Sequence, residues 1–193
     1  MSYGLTLSHV GVFVTDMPKM VDFYTGFLGF AVSDRGELSG GRGEIVFMTR
    51  DPREHHQFVL ASGRPADLPY NIVNQLSFRV DGLDTLRELQ RGLRDEDATE
   101  LGPISHGNAL SLYIHDPEKN RVEFLIDTPW YVPQPCRIPV DLSLPDDELW
   151  ATLERHARSL PGFKPREVWA AEIEKKIADA TAKRRRAKAP AVA

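Results

Sequence analysis

The chain has 193 residues, 41% hydrophobic and 27% charged positions and a formal net charge of −4, the balance of a globular protein and not of a disordered or fibrous one. No apolar run approaches the ~20 residues of a bilayer crossing. The opening MSYGLTLSHV lacks the basic head and apolar stretch of a signal peptide, so a soluble, cytoplasmic protein with no membrane partner is expected. A single cysteine, Cys136, rules out an intramolecular disulfide and any Cys-rich zinc site, which leaves His, carboxylate or amide oxygen to hold a metal. The charge is uneven: residues 175–193 are net +6 and residues 1–174 net −10. A basic end beside Ala and Pro reads as a solvated tail, disordered over 183–193, and with no aromatic or fold signature next to it no nucleic-acid partner is expected.

Taken in chain order, residues 7–14 (LSHVGVFV) alternate, with Val10, Val12 and Val14 on one face and His9, Gly11 and Phe13 on the other, as a strand requires. Asp16 then caps a helix in which Met20, Phe23, Tyr24, Phe27 and Leu28 recur at helical spacing until Gly29 stops it. Strands near 30–36, 43–49 and 56–61 follow. Sixty-six residues after His9 the pattern restarts: VNQLSFRV (73–80) alternates in the same phase, a helix runs from Asp84 through Leu93, and strands follow near 98–103, 109–115 and 121–127. QFVL (57–60) and EFLI (123–126) share that offset, so the chain reads as a tandem duplication.

The fold class this predicts is α+β, with βαβββ units over 5–63 and 71–128 whose half-apolar sheets pack side by side into a curved, open-barrel cleft. Beyond it, DTPWYVPQPCRIPVDLSLP is Pro-rich and suits an extended arm, followed by amphipathic helices over 146–160 and 165–180. Residues 1–128 would form one domain and 129–182 the arm and helices, with Pro145 and Pro165 at first-turn positions. The apolar faces of those helices must cover either the cleft or a second subunit.

Strand phase turns His9, Gln75 and Glu123 toward the cleft face. Ligand atoms from separate strands with positions left open suit a reactive divalent metal. The plainer reading is a satisfied core histidine and a Glu123 paired with Arg79 or Arg121. His55 and His56 are adjacent, so one faces inward and the other outward. Phe13, Phe47, Phe78 and Trp130 are candidates for an apolar wall.

The duplication, SHVGVFVTDMPKMVDFYTGFLGF and the closing YIHDPEKNRVEFL resemble the vicinal oxygen chelate superfamily of glyoxalases, fosfomycin and bleomycin resistance proteins and type I extradiol dioxygenases, over residues 5–128. The small one-domain dioxygenases match best. That resemblance implies a metal held by His9, Gln75 and Glu123, His56 of EHHQFVLAS as acid/base, and His106 and Tyr113 of SHGNALSLYIHDPEKNRVE near the substrate hydroxyls. It also implies a catechol-type aromatic diol and O2 as reactants, Fe(II) as the favoured cofactor and a homodimer. Gln75 stands where the dioxygenases carry a second His, and its harder amide oxygen suits Zn, Mn or Ni as well as Fe(II). The 66-residue offset, by contrast, pairs Gln57 with Glu123, which would turn His55 inward and His56 outward unless a bulge intervenes. Two rivals share the scaffold: a glyoxalase-like isomerase or lyase, and a non-catalytic binder of small molecules.

Overall fold

A computed structural model of the protein describes residues 6–38, 41, 43–65, 67, 68, 71 and 73–188. The strand, helix and three-strand unit occurs twice. The first copy consists of β1 (Val10–Val14), α1 (Met17–Asp22), β2 (Ala31–Glu37), β3 (Glu44–Thr49) and β4 (Phe58–Ser62), with strand order β1-β4-β3-β2. The second consists of β5 (Leu76–Arg79), α2 (Leu83–Gly92), β6 (Thr99–Ser105), β7 (Ala109–His115) and β8 (Arg121–Asp127), with the matching order β5-β8-β7-β6. In each copy the first strand lies parallel to the last. Neither sheet closes on itself, and the expected α+β tandem arrangement is the one found.

Alternation sets the faces. Val12 and Val14 of β1 and Leu76 of β5 are buried, whereas Phe13 and Ser77 are exposed on the other side. The first helix differs from expectation. It is α-helical only to Asp22 and widens into a π-turn over Phe23–Phe27, where the Leu28 amide donates to the Phe23 carbonyl five residues back, at 3.2 Å. Thr25 supplies the reason, since its hydroxyl donates to the Val21 carbonyl at 2.8 Å and competes with the backbone ladder. Gly29, at φ +70°, ends the turn as expected.

The turn Asp116–Asn120 between β7 and β8 joins the two copies. Asp116 is buried, and its Oδ1 accepts the amides of Glu118 (3.0 Å) and Asn120 (2.8 Å). Its Oδ2 accepts Asn120 Nδ2 (2.8 Å) and, from the first copy, the fully buried Tyr24 hydroxyl (3.1 Å). Glu118 Oε1 accepts the amides of Thr15 (2.7 Å) and Asp16 (2.6 Å) at the start of α1, and Arg64 Nη1 donates to Asn120 Oδ1 at 3.0 Å. An aromatic column runs parallel to this clamp: Tyr24 lies 4.4 Å from Phe58, and Phe78 lies 5.8 Å from Phe30 and 6.1 Å from Phe124, between ring centroids.

The chain divides into two compact units, one of residues 7–103 with 111–125, and one that combines 104–110 with 126 onward. The second contains β9 (Trp130–Tyr131), β10 (Ile138–Pro139), α3 (Asp146–Ser159), β11 (Lys164–Pro165) and α4 (Arg166–Lys188). Leu149, Leu153 and Ala157 of α3 are buried, Trp130 meets Trp150 edge-on at 6.3 Å, and Tyr131 stacks on Trp169 at 5.5 Å. Pro145 is the N-cap of α3, and Pro165 lies in β11 just before α4. Helix α4 continues to Lys188, six residues into the stretch whose composition suggested a disordered tail; residues 189–193 lie outside the described residues. Among the described residues no helix is long and apolar enough to cross a membrane.

Removing the Tyr24 hydroxyl tests the clamp. Tyr24→Phe should lower stability by about 1.5 kcal/mol in urea unfolding, the loss of a hydrogen bond to a buried carboxylate. Burial first, and then the Asp116 charge, hold the Tyr24 phenol well above its ordinary value. Its neutral form therefore adds stability that is complete below about pH 10, the ordinary phenol range, and is lost as pH rises toward the folded value. The variant should flatten the alkaline limb of the stability profile, and an unchanged limb would contradict the assignment.

Candidate functional site

Each copy places a polar residue one position ahead of its first strand, His9 before β1 and Gln75 before β5. In the second copy Ser77 of β5 is the register partner of Glu123 of β8, so both side chains stand on the face opposite Phe78 and Phe124. Glu123 is only 5% exposed. Its Oε1 accepts the Tyr113 hydroxyl at 2.6 Å, and its Oε2 accepts the Ser77 hydroxyl at 2.5 Å and Gln75 Nε2 at 2.7 Å. These donors are all neutral, and among the described residues Glu123 forms no ion pair.

The alternative of an arginine partner therefore does not hold. Arg121 instead lies over the Tyr113 ring, 4.5 Å from its centroid, with a buried Nε that no hydrogen bond among the described residues satisfies. Burial, and then Glu123, push the Tyr113 phenol up to about 12, so its hydroxyl remains a proton donor to the carboxylate across the working pH range.

A second group forms around the histidine pair. His56 packs against His9 with ring centroids 4.3 Å apart and meets Phe47 edge-on at 5.1 Å. His55 is exposed, and its Nδ1 lies 2.8 Å from Nδ1 of His56. Burial, then the neighbouring His9 and His55, lower the His56 pKa and favour the neutral imidazole. Asp34 Oδ2 stands 4.0 Å from His55 Nε2, close but beyond hydrogen-bond length. Where the two Nδ1 atoms meet, one ring nitrogen donates and the other accepts, which couples the proton positions of the two rings.

Two sequence expectations need correction here. The pair Gly11 with Val59 in the first copy occupies the place of Ser77 with Glu123 in the second, so the counterpart of Glu123 is Val59 and not Gln57. The first strands do match at 66 residues, but the last match at 64. Strand β4 also starts only at Phe58, which leaves both histidines in the connection after β3, where strand alternation does not apply and no bulge is needed. His56 is therefore free to sit on His9, and Gln57 instead caps the turn, its Oε1 accepting the Arg50 amide at 2.9 Å.

The structure thus brings Gln75, Tyr113 and Glu123 together and places His9 with His56. His106 belongs to the other compact unit, where its Nδ1 donates to the Cys136 carbonyl at 2.8 Å. Phe47 lines the histidine group, and Phe13 is 60% exposed. Phe78 faces the aromatic column, and Trp130 is buried in the other unit, so neither forms the expected wall. Ser77 and Asp34 were missed. Ser77 carried a signal, lying two residues beyond Gln75 on the same strand face, whereas Asp34 carried none, because a bulge between Val32 and Asp34 resets its strand.

The model of the Glyoxalase/Bleomycin resistance protein/Dioxygenase superfamily matches residues 6–124, and the chain belongs to that superfamily. It is 29% identical over 126 residues to biphenyl-2,3-diol 1,2-dioxygenase 3 of Rhodococcus globerulus, a match that covers 63% of each chain. Its identity to biphenyl-2,3-diol 1,2-dioxygenase 2 of the same organism is 30% over 124 residues, 62% of each. The chain thus spans under two thirds of these relatives' length. The glyoxylase/bleomycin resistance protein/dioxygenase domain from Frankia sp. EAN1pec shares the fold, with a TM-score of 0.56 and 21% identity over 64% of this chain and 98% of that one.

The residues present fit a divalent cation in donor type: a buried carboxylate without a cationic partner, an amide and an imidazole. Gln75 now directs its NH2 at Glu123, so serving as a ligand means presenting its carbonyl oxygen instead. Among the described residues no three of His, Cys, Asp and Glu gather to hold a metal, so Gln75 is needed in the set. A buried charge among neutral donors is destabilising when nothing neutralises it. With divalent ions chelated away, Glu123→Gln should therefore melt several degrees above wild type, and adding metal should raise only the wild-type Tm; a less stable chelated variant would contradict this.

Proposed function

We propose that the protein is a metal-dependent, ring-cleaving extradiol dioxygenase acting on a small catechol-type aromatic diol with O2. The single observation that carries this reading is the buried Glu123 carboxylate, surrounded by three neutral donors and in no ion pair among the described residues. The relatives named biphenyl-2,3-diol 1,2-dioxygenase support the same substrate class. His9, Gln75 and Glu123 would hold the metal, and Fe(II), when bound there, would supply Lewis acidity toward two vicinal oxygens and the redox chemistry that O2 requires.

The remaining work falls to the chain. Tyr113 and Ser77 fix the Glu123 carboxylate by hydrogen bonds to both oxygens, so that it does not rotate when a ligand arrives. His56, whose neutral form is favoured, takes a proton from a diol hydroxyl at a free ring nitrogen and can return it to a later anion. The ring contact with His55 holds His56 in place. Phe47 offers its ring beside His56 as a flat apolar surface for the aromatic substrate. Gln75 favours one alternative, a glyoxalase-like isomerase using Zn, Mn or Ni, because an amide oxygen is a harder ligand than imidazole.

Anaerobic reconstitution with Fe(II), followed by oxygen uptake on catechol and biphenyl-2,3-diol, separates the readings. Stoichiometric uptake with formation of a coloured ring-opened product supports the dioxygenase, and metal retention without uptake on any diol contradicts it. His9→Ala and Glu123→Ala should each abolish metal retention. His56→Phe should keep the metal and lose turnover by about 10²-fold or more, the usual range for losing a general base; if His55→Phe has that effect and His56→Phe does not, the role assigned to His56 fails. Gln75→His should tighten Fe(II) binding, and an unchanged Kd would remove Gln75 from the ligand set.

A further inference from the structure

A cavity lies on the face of β5 and β8 opposite the Glu123 group. Strand alternation places Ser77 and Glu123 on one face of β5 and β8 and Phe78 and Phe124 on the other. That other face, together with α2 and the segment that follows the π-turn, encloses a pocket of about 360 Å³, within the size range of small-molecule sites. Four rings, Phe27, Phe30, Phe78 and Phe124, line it. Phe30 stands at 68° to Phe78, and Phe78 lies within 25° of Phe124, so the walls present both an edge and a face to anything flat.

Polar groups from two elements complete the lining. Arg50, from the connection after β3, lines the pocket and is exposed, and Glu88 of α2 is the acid of the lining; alternation turns the Arg79 side chain to the opposite face of β5. The Arg50 guanidinium takes part in no ion pair among the described residues. A guanidinium offers two parallel N–H donors that match a carboxylate, and Thr85 adds a hydroxyl to the lining.

The π-turn is an independent observation. Such turns are less favourable than α-helix and are retained where they shape a site. Here the turn ends at Phe27 and delivers Phe27 and Leu28 to the pocket wall. Gly92 of α2 lies directly beneath the Phe27 ring, where a Cβ would come within 2.7 Å of Cε2. The sequence leaves room for the ring in this position.

We propose that this cavity binds a small aromatic carboxylate, its ring between the phenylalanines and its carboxylate on Arg50, at a site separate from the Glu123 group. Benzoate is the probe, and the readout is calorimetric titration of the full-length protein, with benzyl alcohol and cyclohexanecarboxylate as controls. Benzoate should bind at least tenfold more tightly than either control. Arg50→Ala should weaken it tenfold or more, Arg50→Lys should restore part of that loss, and Leu89→Trp, which fills the cavity from α2, should abolish binding. Glu123→Gln should leave the benzoate Kd within twofold of wild type. Benzoate that fails to bind at millimolar concentration, binds equally to Arg50→Ala, or loses affinity in Glu123→Gln would overturn the proposal. The last outcome would place the ligand in the candidate catalytic site instead. Saturation-transfer contacts from the benzoate ring to phenylalanine protons, kept in wild type and lost in Leu89→Trp, provide a readout independent of affinity.

Discussion

Two carboxylates in one five-residue turn fasten the duplicated halves to each other. Asp116 and Glu118 accept hydrogen bonds from their own turn and also from Tyr24, Thr15 and Asp16 of the other copy. Lys119 takes φ +68° to make the turn possible, a conformation that costs a non-glycine residue about 1 kcal/mol. A site that drew ligands from both copies would need such a fastening, because β1 and β5 belong to different sheets and among the described residues no ladder of backbone hydrogen bonds runs between them. The aromatic column from Tyr24 to Phe124 adds area but little direction, since apolar contact alone would tolerate sliding. Directed hydrogen bonds to buried carboxylates do not.

Against that fixed frame Glu123 is an unusual residue. Three neutral hydrogen bonds hold its carboxylate in place and make its burial tolerable, but they leave the charge unneutralised. Stability alone would favour an arginine partner or an uncharged side chain, and Arg121 is close enough in sequence to have served. It stacks on Tyr113 instead. An active site commonly departs from local stability in this way, and the departure, more than residue type, is what makes Glu123 the leading candidate for a functional group.

Much of the fold was legible because duplication doubles every signal: two strand phases, two glycine or aspartate turns and two helical stripes agree. The bounds of β7 and β8 came out as read, since continuous apolar alternation defines both ends. The helix from Asp16 was legible as helical but not as a π-turn, because Thr25 competing for the Val21 carbonyl leaves no mark in hydrophobic periodicity. The candidate site was legible residue by residue but not in its grouping. His9, Gln75 and Glu123 stand out as polar residues on apolar strands, yet that His56 would meet His9 depends on where β4 begins. The three extra residues in the connection after β3, relative to the turn after β7, hold the answer, and composition does not display it. The two-residue mismatch between the copies was likewise invisible, since QFVL and EFLI align well at the wrong offset.

The most direct test of this account is a crystal soaked in Mn(II) and measured at a wavelength where manganese scatters anomalously. The predicted map has one strong peak per chain, within about 2.0–2.3 Å of a Glu123 carboxylate oxygen, the Gln75 amide oxygen and a His9 ring nitrogen, the range usual for such ligands. A map with no peak there, or with its strongest peak on other side chains, would contradict the claim that these residues share a cation.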